Sequence, residues 1–446
     1  MFNNIHADRH HVALWVALAL ALSFVLIGCA PPAAPPQEPS APPAGGEEAP
    51  TEAATVRVLV PVDWRPILDE IAEEFEGETG VKLEVISTAY DEIHDKIVSS
   101  ARGGADIDLV YVDTIWPGEF AQAGFLQPVD ELVTEELREG IYKPLLDQLV
   151  WQEQLWAVPF NNQAKWLLYN KEMLEAAGFD SPPKSWSEME EMSQVMMEKG
   201  IAKYGTAWGW TQAEGIVCDW TLLLHDFGGR WRNEDGTWVF NSPEGVAALT
   251  FMVESIQEGG WADPASVSLN DRTDLNPFMA SDIPFVINWA FAWGLVNDPN
   301  ESDVAGKVGI TLIPGVEAAD TRSATCTGGG GFGLLKEAPN PELAKTLTKQ
   351  LLSRDIQAQA LKLQGNMPIW RELYNDPQIL EENPQMEDMG PQYEYGYWRP
   401  VLPWYTEWSQ RMQLELQNAL TGVKTPQQAL DDAVAFSNQK SEEYGY

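Results

Sequence analysis

Val56-Arg57-Val58-Leu59-Val60, Val81-Lys82-Leu83-Glu84-Val85 and Ile107-Asp108-Leu109-Val110-Tyr111-Val112 decide the fold. The first two alternate apolar and polar residues, as strands do, and the third is almost continuously apolar. Between them, Ile67, Leu68, Ile71 and Phe75 fall at helical spacing with Gly80 as a stop, and Ile93, Ile97 and Val98 form a second helical stripe. Strand, helix, strand, helix, buried strand predicts an α/β fold with a parallel sheet covered by helices on both faces. In such sheets ligands gather at the carboxyl ends of the strands. Two loops fall at such ends, Pro61-Val62-Asp63-Trp64 and Asp113-Thr114-Ile115-Trp116, and each pairs a carboxylate with a tryptophan.

The length of 446 residues accommodates two ordinary domains. With 67 Asp+Glu against 28 Lys+Arg the net charge is −39. That balance argues against nucleic acid and anionic lipid headgroups, which need Lys and Arg to neutralise phosphate. It does not name a basic ligand, since dispersed acidity mainly gives solubility, and adaptation to a saline habitat is another reading of it. Of five histidines, His6, His10 and His11 crowd the N-terminus, leaving His94 and His225 far apart. A His-rich zinc site or an H-E-x-x-H protease is excluded, and no metal or cofactor is expected. There is no G-x-S-x-G, so a Ser-His-Asp hydrolase would rest on one isolated histidine.

Residues 12–28 form an uncharged apolar run that ends Leu26-Ile27-Gly28-Cys29. The run is short for a membrane span and typical of an export signal. Its ending resembles the lipobox of bacterial lipoproteins, which implies cleavage before Cys29 and lipidation of that residue. The expected parts are a signal peptide over 1–28 and a lipidated, Pro/Ala-rich tether over 29–55, too poor in apolar periodicity to build a core. Cys218 and Cys326 are the remaining cysteines, and their spacing leaves open whether they pair.

Tryptophan is abundant, 19 in all and 18 beyond the leader, often beside Asp, Asn or Glu. An indole face suits the C–H face of a pyranose, and neighbouring polar groups can bond its hydroxyls. Core packing is the plain alternative for any one of them.

Four stretches follow in order: Trp166 to Gly178 with Pro183 and Trp186, Ile287-Asn288-Trp289-Ala290-Phe291-Ala292-Trp293, Gly328 to Gly333 with Pro341 to Ala344, and Arg399-Pro400-Val401-Leu402-Pro403-Trp404-Tyr405. Together they resemble the extracytoplasmic solute-binding proteins of ABC importers, in the maltose/trehalose-type sugar-binding group. The resemblance implies two α/β lobes, about 56–160 plus 330–376 and 161–329 plus 377–446, joined by hinge crossovers. The tetraglycine is then read as a hinge, since glycine frees φ and ψ. A phosphate loop is the competing reading, and it lacks the Gly-Lys-Ser/Thr that would complete it.

The resemblance also implies a monomer that holds a sugar in the cleft, closes, and delivers it to an ABC permease, with no catalysis. Carried over residue by residue, Trp64, Tyr90, Asp113 and Trp116 belong to the first lobe's wall, with Asp113 accepting sugar hydroxyl protons. Gln163 falls at the first crossover, where relatives often carry an acid. Trp208, Glu214 and Trp220 belong to the second lobe, Trp289 and Phe291 stack on the sugar, and Gly330 offers a backbone N–H. Arg399 and Trp404 lie on a late loop that reaches the cleft. Two alternatives remain open at this point: a different solute such as a polyamine, which an acid-lined cleft would suit, and an exported carbohydrate-active enzyme with paired carboxylates.

Overall fold

The three strand-like stretches form adjacent strands. Thr55–Pro61 pairs in parallel with Lys82–Thr88 on one side and with Leu109–Asp113 on the other. The computed structural model describes residues 54–104 and 106–445. The leader, Cys29 and nearly all of the tether lie outside the described residues. Helix Arg65–Thr79 buries Ile67, Leu68, Ile71 and Phe75 and ends where Gly80 takes φ 70°. Helix Tyr90–Gly103 buries Ile93 and Ile97.

The first sheet has six strands, and it is mixed rather than wholly parallel. Strand Gly328–Leu335 enters it antiparallel to Leu109–Asp113 on one side and to Val158–Gln163 on the other. The tetraglycine therefore lies inside a sheet, not in a free hinge loop. Gly329 has φ 100°, and a Cβ there would come 2.7 Å from the Asn161 carbonyl oxygen. At Gly331 a Cβ would meet the Val158 carbonyl oxygen at 2.0 Å, next to the shift of register between Gly330 and Gly331. Close approach of three backbones, together with one left-handed residue, accounts for the glycines here.

A second sheet of four strands runs Val308–Thr311, Lys165–Asn170, Phe285–Trp289, Thr206–Ala207. Its side chains alternate between two cores, as a strand's period of two requires. Trp166, Leu168 and Val286 join the cluster that extends under the first sheet, whereas Leu167, Phe285 and Ile287 face a second cluster rich in tryptophan. Among the described residues no helix is long and apolar enough to cross a membrane.

Several carboxylates are buried in the second sheet's neighbourhood. Asp219 accepts from the Lys165 Nζ at 2.6 Å and the Trp210 indole at 3.1 Å, yet burial still raises its pKa to about 6. Asp226, fully buried, accepts from the Trp186 indole at 3.1 Å, while its other oxygen has no hydrogen-bond partner. Burial holds its pKa well above the usual carboxylate range. A folded-state pKa raised above the unfolded value means the folded state binds the proton more tightly. Stability from these groups then falls as pH rises from the unfolded value, about 4, through the folded one. The thermal midpoint should rise as the pH is lowered from 8 to 5. Asp226→Asn should raise the pH 8 midpoint by at least about 2 °C and flatten the pH dependence, as read from melting curves at the two pH values.

Candidate ligand-binding site

A cavity of about 680 Å³ opens between segments of the first sheet's side and segments of the second's. The first wall comes from the Val62–Pro66 turn that ends the first strand, from Asn161 and Gln163 on the strand Val158–Gln163, and from residues 361–367 that end helix Arg354–Gln364. The facing wall comes from Arg272, from Ala290–Gly294 just past the strand Phe285–Trp289, and from Asn383, Gln385 and Met389.

The first wall is an amide surface. Asn161 Oδ1 holds the Gly330 N–H at 2.8 Å, which fixes that side chain. Gln364 Oε1 holds the Ile67 N–H at 3.0 Å, leaving its Nε2 buried without a partner, and Asn366 Nδ2 is likewise buried and unpaired. Buried unpaired donors are costly unless a ligand or water meets them. Opposite, Phe291 is 40% exposed with the Arg272 guanidinium 5.2 Å over its ring. Asp63 is the one carboxylate among the lining residues.

A second cluster lies where the loop after Leu109–Asp113 meets the late loop carrying Arg399. Asp113 Oδ2 accepts from Tyr90 at 2.6 Å and Tyr111 at 2.9 Å, and Oδ1 accepts from the Ile115 N–H at 3.2 Å and the Thr114 hydroxyl at 3.3 Å. Arg399 is buried; Nη1 donates to Glu214 Oε1 at 2.7 Å and Nη2 to the Thr114 hydroxyl at 3.3 Å. Glu214 also accepts from the Tyr405 and Ser409 hydroxyls. Trp289 lies between cluster and cavity, against Gly328, with its indole on Asp271 at 3.2 Å and the Lys165 ammonium 5.2 Å from its ring. Lys165, wholly buried, bridges Asp219 and Asp271.

Residues 62–358 match the family described as bacterial extracellular solute-binding protein. The chain belongs to that family. Its resemblance to solved structures spans almost the whole folded part. The maltose-bound MalE3 protein of T. maritima is 30% identical with a TM-score of 0.73, covering 86% of this chain and 98% of that one. A solute-binding protein of Thermotoga lettingae bound to α-D-tagatose is 25% identical at 0.73, covering 87% and 99%. A maltotriose-binding protein of Pyrococcus abyssi is 23% identical, covering 76% of this chain and 70% of that protein. The fold is accordingly the two-lobed solute-binding fold, the location is extracytoplasmic, and the family binds solutes rather than transforming them.

In this solute-binding protein the residues expected at the site separate into three groups. Trp64, Gln163 and Phe291 line the cavity. Trp64 does so mainly by its edge, being 5% exposed and packed on Tyr111, Phe160 and Phe332. Tyr90, Asp113, Trp116, Glu214, Trp289 and Arg399 form or flank the second cluster, where two expectations need correction. Asp113 is buried and filled by protein donors rather than open to hydroxyls, and Trp116 is a buried support stacked beneath Tyr90. Glu214 accepts from Arg399, Tyr405 and Ser409 while its side chain stays 34% exposed. Tyr90 is the exposed member, at 53%.

The third group lies away from either place. Trp208 is sandwiched between Trp210 and Trp186, Trp220 packs on Trp231, and Trp404 packs on Tyr444. All three are at most 3% exposed, so they have no ring face for a ligand. The Gly330 N–H is also unavailable, because Asn161 takes it. Sequence reasoning missed Asn161, Gln364, Asn366 and Arg272. Amide and arginine side chains carry no periodicity signal, and those four converge only through the sheet pairing and one helix end.

Arg399→Ala should destabilise the fold by about 2 kcal/mol, because it removes a buried guanidinium and its charge-assisted bond to Glu214, whose side chain is 34% exposed. Phe291→Ala, at an exposed rim, should change stability by less than about 0.5 kcal/mol. Urea denaturation of both variants measures the contrast.

Proposed function

We propose that this protein binds a carbohydrate in the 680 Å³ cavity and delivers it to the transmembrane subunits of an ABC importer. The observation that carries the reading is the pairing of walls. Amide side chains, Asn161, Gln163, Gln364 and Asn366, line one cavity with an exposed aromatic ring and a guanidinium, Phe291 and Arg272. Hydroxyls bond to the first wall and a pyranose face stacks on the second, which suits a polar ligand with apolar faces. Relatives bound to maltose and tagatose support this choice of ligand class.

The alternatives fare worse on the same lining. A polyamine needs several carboxylates and would meet Asp63 alone, opposed by Arg272. A glycosidase needs two carboxyl groups flanking a bond, and the lining supplies one. The two sheets stand for the two lobes, with the first crossover at Ala164, between Val158–Gln163 and Lys165–Asn170. Closure on the sugar gives the importer a shape to distinguish from the open form. The Cys29 lipid and the tether hold the protein, as a monomer, at the outer face of the membrane.

A thermal-shift screen of the exported chain against maltose, maltotriose, tagatose and spermidine tests the reading. A sugar at 100 times its Kd should add about 2.7 kcal/mol of stability and be recovered unchanged. Phe291→Ala should weaken its binding about tenfold, whereas Trp208→Phe should leave the affinity alone. A shift with spermidine only would overturn the sugar assignment, and conversion of sugar to product would put catalysis in its place.

A further inference from the structure

Cys218 and Cys326 are both buried, at 2% and 0% exposure. Cys218 lies in helix Glu214–Asp226, and Cys326 lies in the short strand Thr325–Cys326 on which that helix packs. Each thiol lies near enough to perturb the other, with Cys218 pushed up by its neighbour Cys326 and by burial, and the Cys326 thiol donates to the Thr327 carbonyl at 3.6 Å. A lone buried cysteine is an ordinary small apolar side chain. Two on elements packed against each other, from segments far apart in the chain of an extracytoplasmic protein, are placed where a cross-link can form.

We propose that Cys218 and Cys326 are joined by a disulfide in the exported protein, stapling the helix that begins at Glu214 to the strand that leads into Gly328–Leu335. The staple lies under the Arg399–Glu214 pair. Strand Thr325–Cys326 pairs in parallel with Gly396–Tyr397, just ahead of Arg399, so the bond ties three of the segments that seat that arginine. The oxidant is a disulfide of the exported dithiol-oxidase class. One cysteine thiolate attacks it to form a mixed disulfide, and the second displaces the oxidant's sulfur as the Sγ–Sγ bond forms. Two electrons pass to the oxidant, which leaves as a dithiol carrying the two protons that the cysteines lose. Because both sulfurs are buried in the folded protein, the exchange belongs to folding after export, and the finished bond is shielded from reductants.

The inference rests on the extracytoplasmic location of the family and not on the identity of the solute. A failed sugar screen leaves its test untouched, and the reverse holds too. The full chain is exported in a bacterial host, its free thiols are alkylated under denaturing conditions without reductant, and the digest is mapped by mass spectrometry. The expected result is one cross-linked peptide pair containing Cys218 and Cys326, lost on reduction. Recovery of the two cysteines as separate alkylated peptides, or of either joined to Cys29, would overturn it. A second measurement compares melting with and without prior reduction under denaturant. The reduced protein should melt several degrees lower, since the bond closes a long loop, and equal midpoints would sink the staple.

Discussion

The constraint on which the rest depends is the close packing of strand Gly328–Leu335 between Leu109–Asp113 and Val158–Gln163. It joins a returning segment of chain to the parallel strands begun near the N-terminus. The approach is close enough that Cβ atoms at Gly329 and Gly331 would run into backbone oxygens. Its register sets Gly330 opposite both Asp113 and Asn161, so one strand aligns the carboxylate of the second cluster and the amide of the cavity wall. Its first residue, Gly328, lies against Trp289 and brings in an aromatic from the other sheet. A side chain at Gly329 or Gly331 would push the strand Val158–Gln163 away and displace the amide wall it carries.

A second principle runs through the charged groups. A chain of net charge −39 could be expected to line its cleft with acid. Instead the carboxylates near the lobes' meeting point are bonded to protein donors. Asp113 is held by tyrosines and backbone, Glu214 by Arg399 and hydroxyls, and Asp219 and Asp271 by Lys165. Such groups fix geometry, since charge-assisted hydrogen bonds are strong and directional. They hold Tyr90, Trp289 and Arg399 in place, while the cavity presents amides, one cation and the single carboxylate of Asp63. The acidity belongs largely to the solvated exterior, where it gives solubility without choosing a ligand.

The tryptophans show the same division between support and contact. The stacked Trp186, Trp208 and Trp210, and the group of Trp231, Trp238 and Trp408, fill the core on one face of the second sheet. Their richness reflects how much volume that core must fill. The most exposed aromatics near the site, Tyr90 and Phe291, are smaller rings, each at the start of a helix that follows a strand, while Trp293 reaches the cavity partly buried.

By itself the sequence determined the strand and helix order of the first segment, the stop at Gly80, and the loops at the carboxyl ends of the first strands. These depend on local periodicity and on glycine's access to positive φ, which neighbouring residues alone specify. The motif run up to Arg399 likewise led to the family. Only the tertiary structure decided which polar and aromatic groups face the cavity. Whether Trp208 is a platform or a core residue, whether Asp113 is open or filled, and whether Gln364 and Asn161 line one cavity are settled by packing between different elements, at separations from about twenty to about two hundred residues. The composition around each residue is the same in either case. What differs is the neighbour brought in by sheet pairing, and no local pattern encodes that neighbour.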